Sequence, residues 1–130
     1  MINMLDLKKQ IRPILSKIKK KEDISPEENF QNEILRPIIK LQYALISSSF
    51  EHYLSLKKVM FDEFNDLQKL AFIQKSFKRD TQLKTDLRSL ILGLFTLEEF
   101  NEYLSLKSQI NRRINTIMQS RITSCYVNNS

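Results

Sequence analysis

The sequence predicts an all-α fold, and three observations carry that expectation. Glycine and proline are almost missing, with one Gly and three Pro in 130 residues, about 3% against a usual ~12%. Sandwiches, barrels and dinucleotide-binding folds need such residues at their turns. The apolar side chains are 18 Leu and 15 Ile but only 2 Val, a mixture that suits helices better than strands. Those apolar residues also recur at three- and four-residue spacing along most of the chain. At this length one domain with one hydrophobic core is expected. About five helices should fill residues 1–123, followed by a frayed tail over 124–130.

The first element is a basic amphipathic helix within residues 1–21. At about 100° per residue, Met4, Leu7, Ile11, Ile14, Leu15 and Ile18 fall within about a 100° arc. Lys8, Lys9, Arg12, Lys17, Lys19, Lys20 and Lys21 belong to the same segment, with Asp6 as its single acid, so the segment carries +6. The other 109 residues hold 14 basic and 14 acidic side chains and sum to zero. The basic balance therefore marks this segment, not a whole face. It reads as a packing helix with solvated cations. Its alternatives are an arm for nucleic acid or an anionic membrane surface, or a partner-docking helix. Pro13, on the polar side, should kink it or weaken one turn.

A second helix is expected over 25–58. Ser25-Pro26-Glu27-Glu28 is a strong start, with Ser25 as cap, Pro26 at the first position and Glu28 closing a capping box. Phe30, Ile34, Ile38, Leu41 and Leu45 continue the rhythm. Pro37 removes an amide donor, so a kink is expected there. The run Ser47-Ser48-Ser49 offers a second place to break, and one long kinked helix is the preferred reading.

Val59–Phe64 reads as an apolar bend. Asn65 with Gln68 can cap a helix over 65–79. Asp80 or Thr81 caps the next, over 80–93, which stops at Gly93. Thr96 and Glu99 form a capping box, with Phe95 and Phe100 at staple positions, opening a final helix over 96–123. Phe50–Lys57 matches Phe100–Lys107 at six of eight positions, from either a duplicated hairpin or two Leu-rich helices of similar composition.

The candidate chemistry is sparse. A single Gly excludes phosphate-cradling glycine loops. One His and one Cys cannot build a structural zinc site of four N/S ligands. His52, beside Phe50, Tyr53 and Leu54, reads as a packed or boundary residue. Cys125 reads as an inert thiol in a polar tail. Glu27-Glu28 and Glu98-Glu99 fit capping and the helix dipole without catalysis. The Glu-x-x-His pattern of di-metal bundles is absent. No catalytic set, metal or cofactor is therefore implied. Gln31, Asn32, Arg36 and Gln42 gather around Pro37 and form a candidate polar pocket, with an anion site conceivable at Arg36. Packing around the kink is the plainer account of them. Arg112-Arg113, with Arg121, gives the last helix a basic end.

The stretch Phe30-Gln31-Asn32-Glu33-Ile34-Leu35-Arg36-Pro37-Ile38-Ile39-Lys40-Leu41-Gln42 resembles the signature of a family of small, all-helical, uncharacterised bacterial proteins. Ile91-Leu92-Gly93-Leu94-Phe95-Thr96-Leu97-Glu98-Glu99-Phe100 and the Asn111-Arg112-Arg113 region are similar to its second half. The resemblance spans about residues 25–122 and implies an all-α fold. Some members carry the label glyoxalase. Metal-dependent glyoxalases draw on several His and Glu ligands, and a chain with one His does not supply that set.

Function is not legible from these residues alone. The leading expectation is a non-catalytic interaction or scaffold protein, self-associating as a dimer through long helices and surplus Phe61, Phe64, Phe72 and Phe77. The alternatives are a small-ligand binder or atypical enzyme at the Arg36 group, and a nucleic-acid or membrane binder acting through residues 1–21. The opening residues place charges where a signal peptide needs an apolar run, and a lone Cys fits a reducing compartment, so cytoplasm is the expected location.

Overall fold

A computed structural model describes residues 4–13 and 24–127. Its helices are α1 (Met4–Gln10), α2 (Pro26–Phe30), α3 (Arg36–Leu56), α4 (Asp66–Arg79), α5 (Thr81–Leu92), α6 (Leu97–Ser105) and α7 (Lys107–Tyr126). A π-helical turn, Gln31–Leu35, joins α2 to α3, and a short 3₁₀ turn, Phe61–Glu63, precedes α4. No strand occurs among the described residues. The fold is all-α, as the composition predicts.

Four helices make the body. α3 packs on α5 and α7, α4 packs on the same two, and α5 touches α7. Phe50, Ile73, Leu87, Ile91, Ile110, Ile114 and Met118 are buried between them. The phenylalanines expected as surplus surface turn inwards. Phe61 and Phe77 are buried, and Phe64 and Phe72 pack against the core. Phe50 stands at the centre of the aromatic cluster, with ring centroids 5.8 Å from Tyr53, 6.3 Å from Phe61, 6.5 Å from Phe77 and 5.8 Å from Tyr126. The core of a single chain thus uses these four rings, wholly for Phe61 and Phe77 and in part for Phe64 and Phe72.

The rod from Pro26 to Leu56 shows how the chain absorbs a proline. Ser25 caps it, its side chain accepting from the Glu28 amide at 3.2 Å. Pro37 has no N–H, and its ring would clash with the carbonyl four residues back. The turn before it widens instead, and the Arg36 amide bonds the Gln31 carbonyl, five residues away. Helical hydrogen bonding thus passes Pro37 by way of a π-turn. The serine run does not interrupt α3. The helix stops only at Leu56, where Lys58 takes a left-handed φ of 56°. The amides of Lys58 and Val59 then bond the carbonyls of Ser55 and Leu54, the pairing of a Schellman cap.

Asn65 and Gln68 form the expected capping box of α4. Asp80 caps α5 and also accepts from the Tyr53 hydroxyl at 2.9 Å, which ties the α4–α5 corner to α3. The Leu83 amide, ahead of the Tyr53 bond, holds the Asp80 carboxyl below its ordinary range. Gly93 does end α5, but at φ −61°. A right-handed residue suffices there, so the stop comes from the turn into Thr96 rather than from glycine's freedom. Phe95 packs on Phe30 and Tyr103, with centroids at 5.5 and 5.7 Å.

Three boundaries differ from expectation. The predicted final helix over 96–123 is two helices, broken at Leu106 (φ −125°). The Ser105 hydroxyl bonds the Glu102 carbonyl and the Leu106 amide bonds Tyr103, so the last turn of α6 tightens and stops. α7 continues to Tyr126 and Val127 is buried, so residues 124–127 are not a frayed tail. At the other end α1 stops at Gln10 rather than running to 18. Pro13 disfavours helix in the residue before it, and Ile11–Pro13 turn away. The stretch 14–23, which holds Ile14, Leu15, Lys17, Ile18, Lys19, Lys20 and Lys21, lies outside the described residues.

α1 is held by polar bonds. Lys8 donates to the Phe95 carbonyl at 2.9 Å, and Arg12 to the Leu94 carbonyl at 2.7 Å. Arg12 also grips both Glu99 oxygens at 2.7 Å, and both side chains are nearly buried, at 8% and 9% exposure. Glu99 simultaneously closes the capping box of α6 with Thr96. Lys8 and Arg12 are therefore not the solvated cations of the amphipathic reading. They tie the N-terminal segment to the α5–α6 turn.

The sequence echo does not extend to environment. Phe50 and Leu54 are buried, whereas Phe100 and Leu104 are exposed, and Tyr103 is buried where Tyr53 is half-buried.

Candidate anion-binding cleft

α7 and the π-turn–α3 rod run side by side in the same direction. Arg113 reaches Gln31 near one end, and Arg121 and Cys125 reach Tyr43 near the other. A cleft of about 610 Å³ opens along them, lined by Gln31 and Arg36 on one wall and by Gln109, Arg112, Arg113, Thr116, Ile117, Ser120 and Arg121 on the other. Four of those nine residues are arginines and none is acidic.

Neutral groups position the guanidinium groups. Arg113 donates to the Gln31 amide oxygen at 2.9 Å, and Arg36 donates to the Asn32 amide oxygen at 3.3 Å, one turn back. Arg121 lies 5.9 Å from the Tyr43 ring centroid, a cation–π distance. Each guanidinium has five donors, so these bonds orient the side chains and leave donors for a ligand. The Tyr43 hydroxyl bonds the Cys125 thiol. That bond first, and burial second, push the phenol up to about 12. A phenol is neutral at neutral pH even at its ordinary value, so Tyr43 adds no negative charge beside Arg121.

Gln31 opens the π-turn and Arg36 directly follows it, and both lie on this wall. Such turns are uncommon and are frequent at functional sites. Here the turn is needed to pass Pro37, and it places Gln31 against Arg113.

The four residues expected around the kink do not all meet. Gln31 and Arg36 line the cleft, and Asn32 backs Arg36. Gln42 points elsewhere, donating to the Leu90 carbonyl of α5 at 2.9 Å. The basic end of the last helix, Arg112, Arg113 and Arg121, supplies the other wall. Tyr43 was not singled out in the sequence. Its spacing of seven from Arg36, two helical turns, was the available clue.

Of the N-terminal cations, Lys9 is exposed and Lys8 and Arg12 are engaged internally. His52 is exposed, not packed, on a groove between α3 and α5 of about 530 Å³ that it shares with Leu45, Leu56, Leu83 and Leu87. Cys125 lies exposed on α7 rather than in a tail. Among the described residues no group of three or more His, Cys, Asp or Glu is placed to hold a metal ion. No described helix is long and apolar enough to cross a membrane.

The sequence matches no family model, no curated protein and no solved structure.

Proposed function

We propose that this chain is a non-catalytic helical binding module that takes a phosphate-bearing anion in the α3–α7 cleft. One observation carries the reading: Arg36, Arg112, Arg113 and Arg121 line a single cleft, and among the described residues no carboxylate lines it. Arginine's planar fork matches phosphate oxygens two at a time, and charge-assisted bonds are the strong ones. Arg36 and Arg113 are fixed by amide oxygens, so little ordering is required when a ligand arrives.

Calorimetric titration of pyrophosphate at low ionic strength tests this. Binding is expected, weakening as salt rises. The Arg36→Ala/Arg113→Ala double variant is expected to lose about tenfold or more in affinity while circular dichroism shows unchanged helicity. Absence of binding to the parent chain, or equal affinity in a folded double variant, overturns the proposal.

A second reading, self-association, is favoured by a different surface. Leu41, Leu45 and Leu56 stand 37%, 52% and 68% exposed on α3, along the face that borders the groove containing His52. Pairing of two copies along α3 would cover them. Light scattering after size exclusion should give twice the monomer mass at micromolar concentration, and Leu45→Glu should return it to the monomer. A monomer from the parent chain removes this reading without touching the first.

A further inference from the structure

The arginines of the cleft form two separate poles. Arg113 with its neighbour Arg112, and Arg36 bonded back to Asn32, stand with Gln31 at the π-turn end. Arg121 stands with Tyr43 at the far end. Arg113, Ile117 and Arg121 follow one another at four-residue spacing on a single ridge of α7. Eight residues at about 1.5 Å each put the two backbone positions that carry these poles roughly 12 Å apart along α7. The stretch between them is Thr116, Ile117 and Ser120. The Thr116 hydroxyl is already spent on the Arg112 carbonyl, at 3.0 Å. The middle of the cleft therefore adds no fixed charge, and the attraction sits at its two ends.

Resting on the anion-binding reading, we infer that the ligand is a linear polyphosphate chain long enough to bridge the two poles. An isolated phosphate or a pyrophosphate engages one pole and leaves the other hydrated. A long chain engages both, and the second contact becomes intramolecular, which multiplies affinity without any new kind of contact. A nucleic-acid strand offers the same charge, but strand binders supply aromatic faces on which bases stack. Among the described residues no aromatic side chain lines the cleft, and Tyr43, against Arg121, is half-buried. That favours a phosphate chain without bases.

The test compares three probes against the full chain at one salt concentration: pyrophosphate, a long linear polyphosphate, and a single-stranded oligonucleotide of similar charge. The long polyphosphate is expected to bind about 100-fold tighter than pyrophosphate and tighter than the oligonucleotide. Arg121→Ala, checked for native helicity, is expected to collapse the ratio of the two phosphate affinities towards one. Arg36→Ala/Arg113→Ala is expected to weaken both. Pyrophosphate binding with no gain for the long chain overturns the bridge and leaves the anion cleft standing. A ratio unchanged in a folded Arg121→Ala variant also overturns it. Tighter binding of the oligonucleotide assigns the cleft to nucleic acid instead, and loss of binding to all three probes overturns both proposals.

Discussion

Replacing Phe50 by alanine should destabilise the chain by about 3–5 kcal/mol. Phe50 is fully buried and its ring meets the rings of Tyr53, Phe61, Phe77 and Tyr126. Removing it takes away transfer energy and leaves a cavity whose walls belong to α3, α4, α7 and the 3₁₀ turn. Those walls are tied to one another elsewhere and cannot close freely. Domains of this size have only about 5–15 kcal/mol in hand, so the variant should lose much of its reserve. In urea or thermal unfolding the midpoint should drop sharply, on the order of 10–20 °C in Tm. Leu56→Ala, at an exposed position of the same helix, should stay within about 0.5 kcal/mol of the parent. Equal effects from the two substitutions would show that the aromatic cluster is not the centre of the core.

Arg12→Ala should cost on the order of 3 kcal/mol, because it strands a nearly buried carboxylate. The Glu99 carboxylate accepts from both terminal Arg12 nitrogens and from the Thr96 amide, while the Glu99 amide donates to the Thr96 hydroxyl. Adding Glu99→Gln to the Arg12→Ala variant should recover part of the loss. Glutamine keeps the capping box and leaves no buried charge. Urea unfolding of the two single variants and the double variant closes the cycle; strict additivity would deny the coupling.

The same pair gives a pH dependence. Burial acts to raise the Glu99 carboxyl, but the Arg12 bonds and the Thr96 amide outweigh it, and the group is held below its ordinary value of 4.5. Near that value the unfolded chain binds more protons than the native one, so stability rises with pH there. The contribution is complete above about pH 4.5 and fades as pH falls through the lower native value. Glu99→Gln should flatten that acid limb.

The local sequence determined the helices and most of their ends. Asn65 with Gln68, Asp80, and Thr96 with Glu99 each cap where their spacing places them, because a cap is settled within four residues. The same locality explains the failures. At Pro37 the sequence announces a missing amide but not that the turn before it widens. Phe30, Leu35 and Ile38 are buried on either side, and helical structure runs from Pro26 to Leu56 with the π-turn between. At Leu106 the apolar rhythm runs on while the backbone breaks, because Tyr103 and Ile110 are each buried in separate helices.

The candidate site divides the same way. Gln31, Asn32 and Arg36 stand out as an unusual polar group beside a proline, and Arg112, Arg113 and Arg121 as a basic helix end, each within one element. Only the tertiary structure sets them against each other, with Gln31 on Arg113 and Tyr43 on Arg121. It likewise sends Gln42 to α5 and draws Arg12 from a presumed solvent face onto Glu99. Periodicity fixes which face of a helix a residue occupies. Which helix covers that face, and in which direction it runs, is decided by contacts up to 87 residues apart, and no local pattern encodes those.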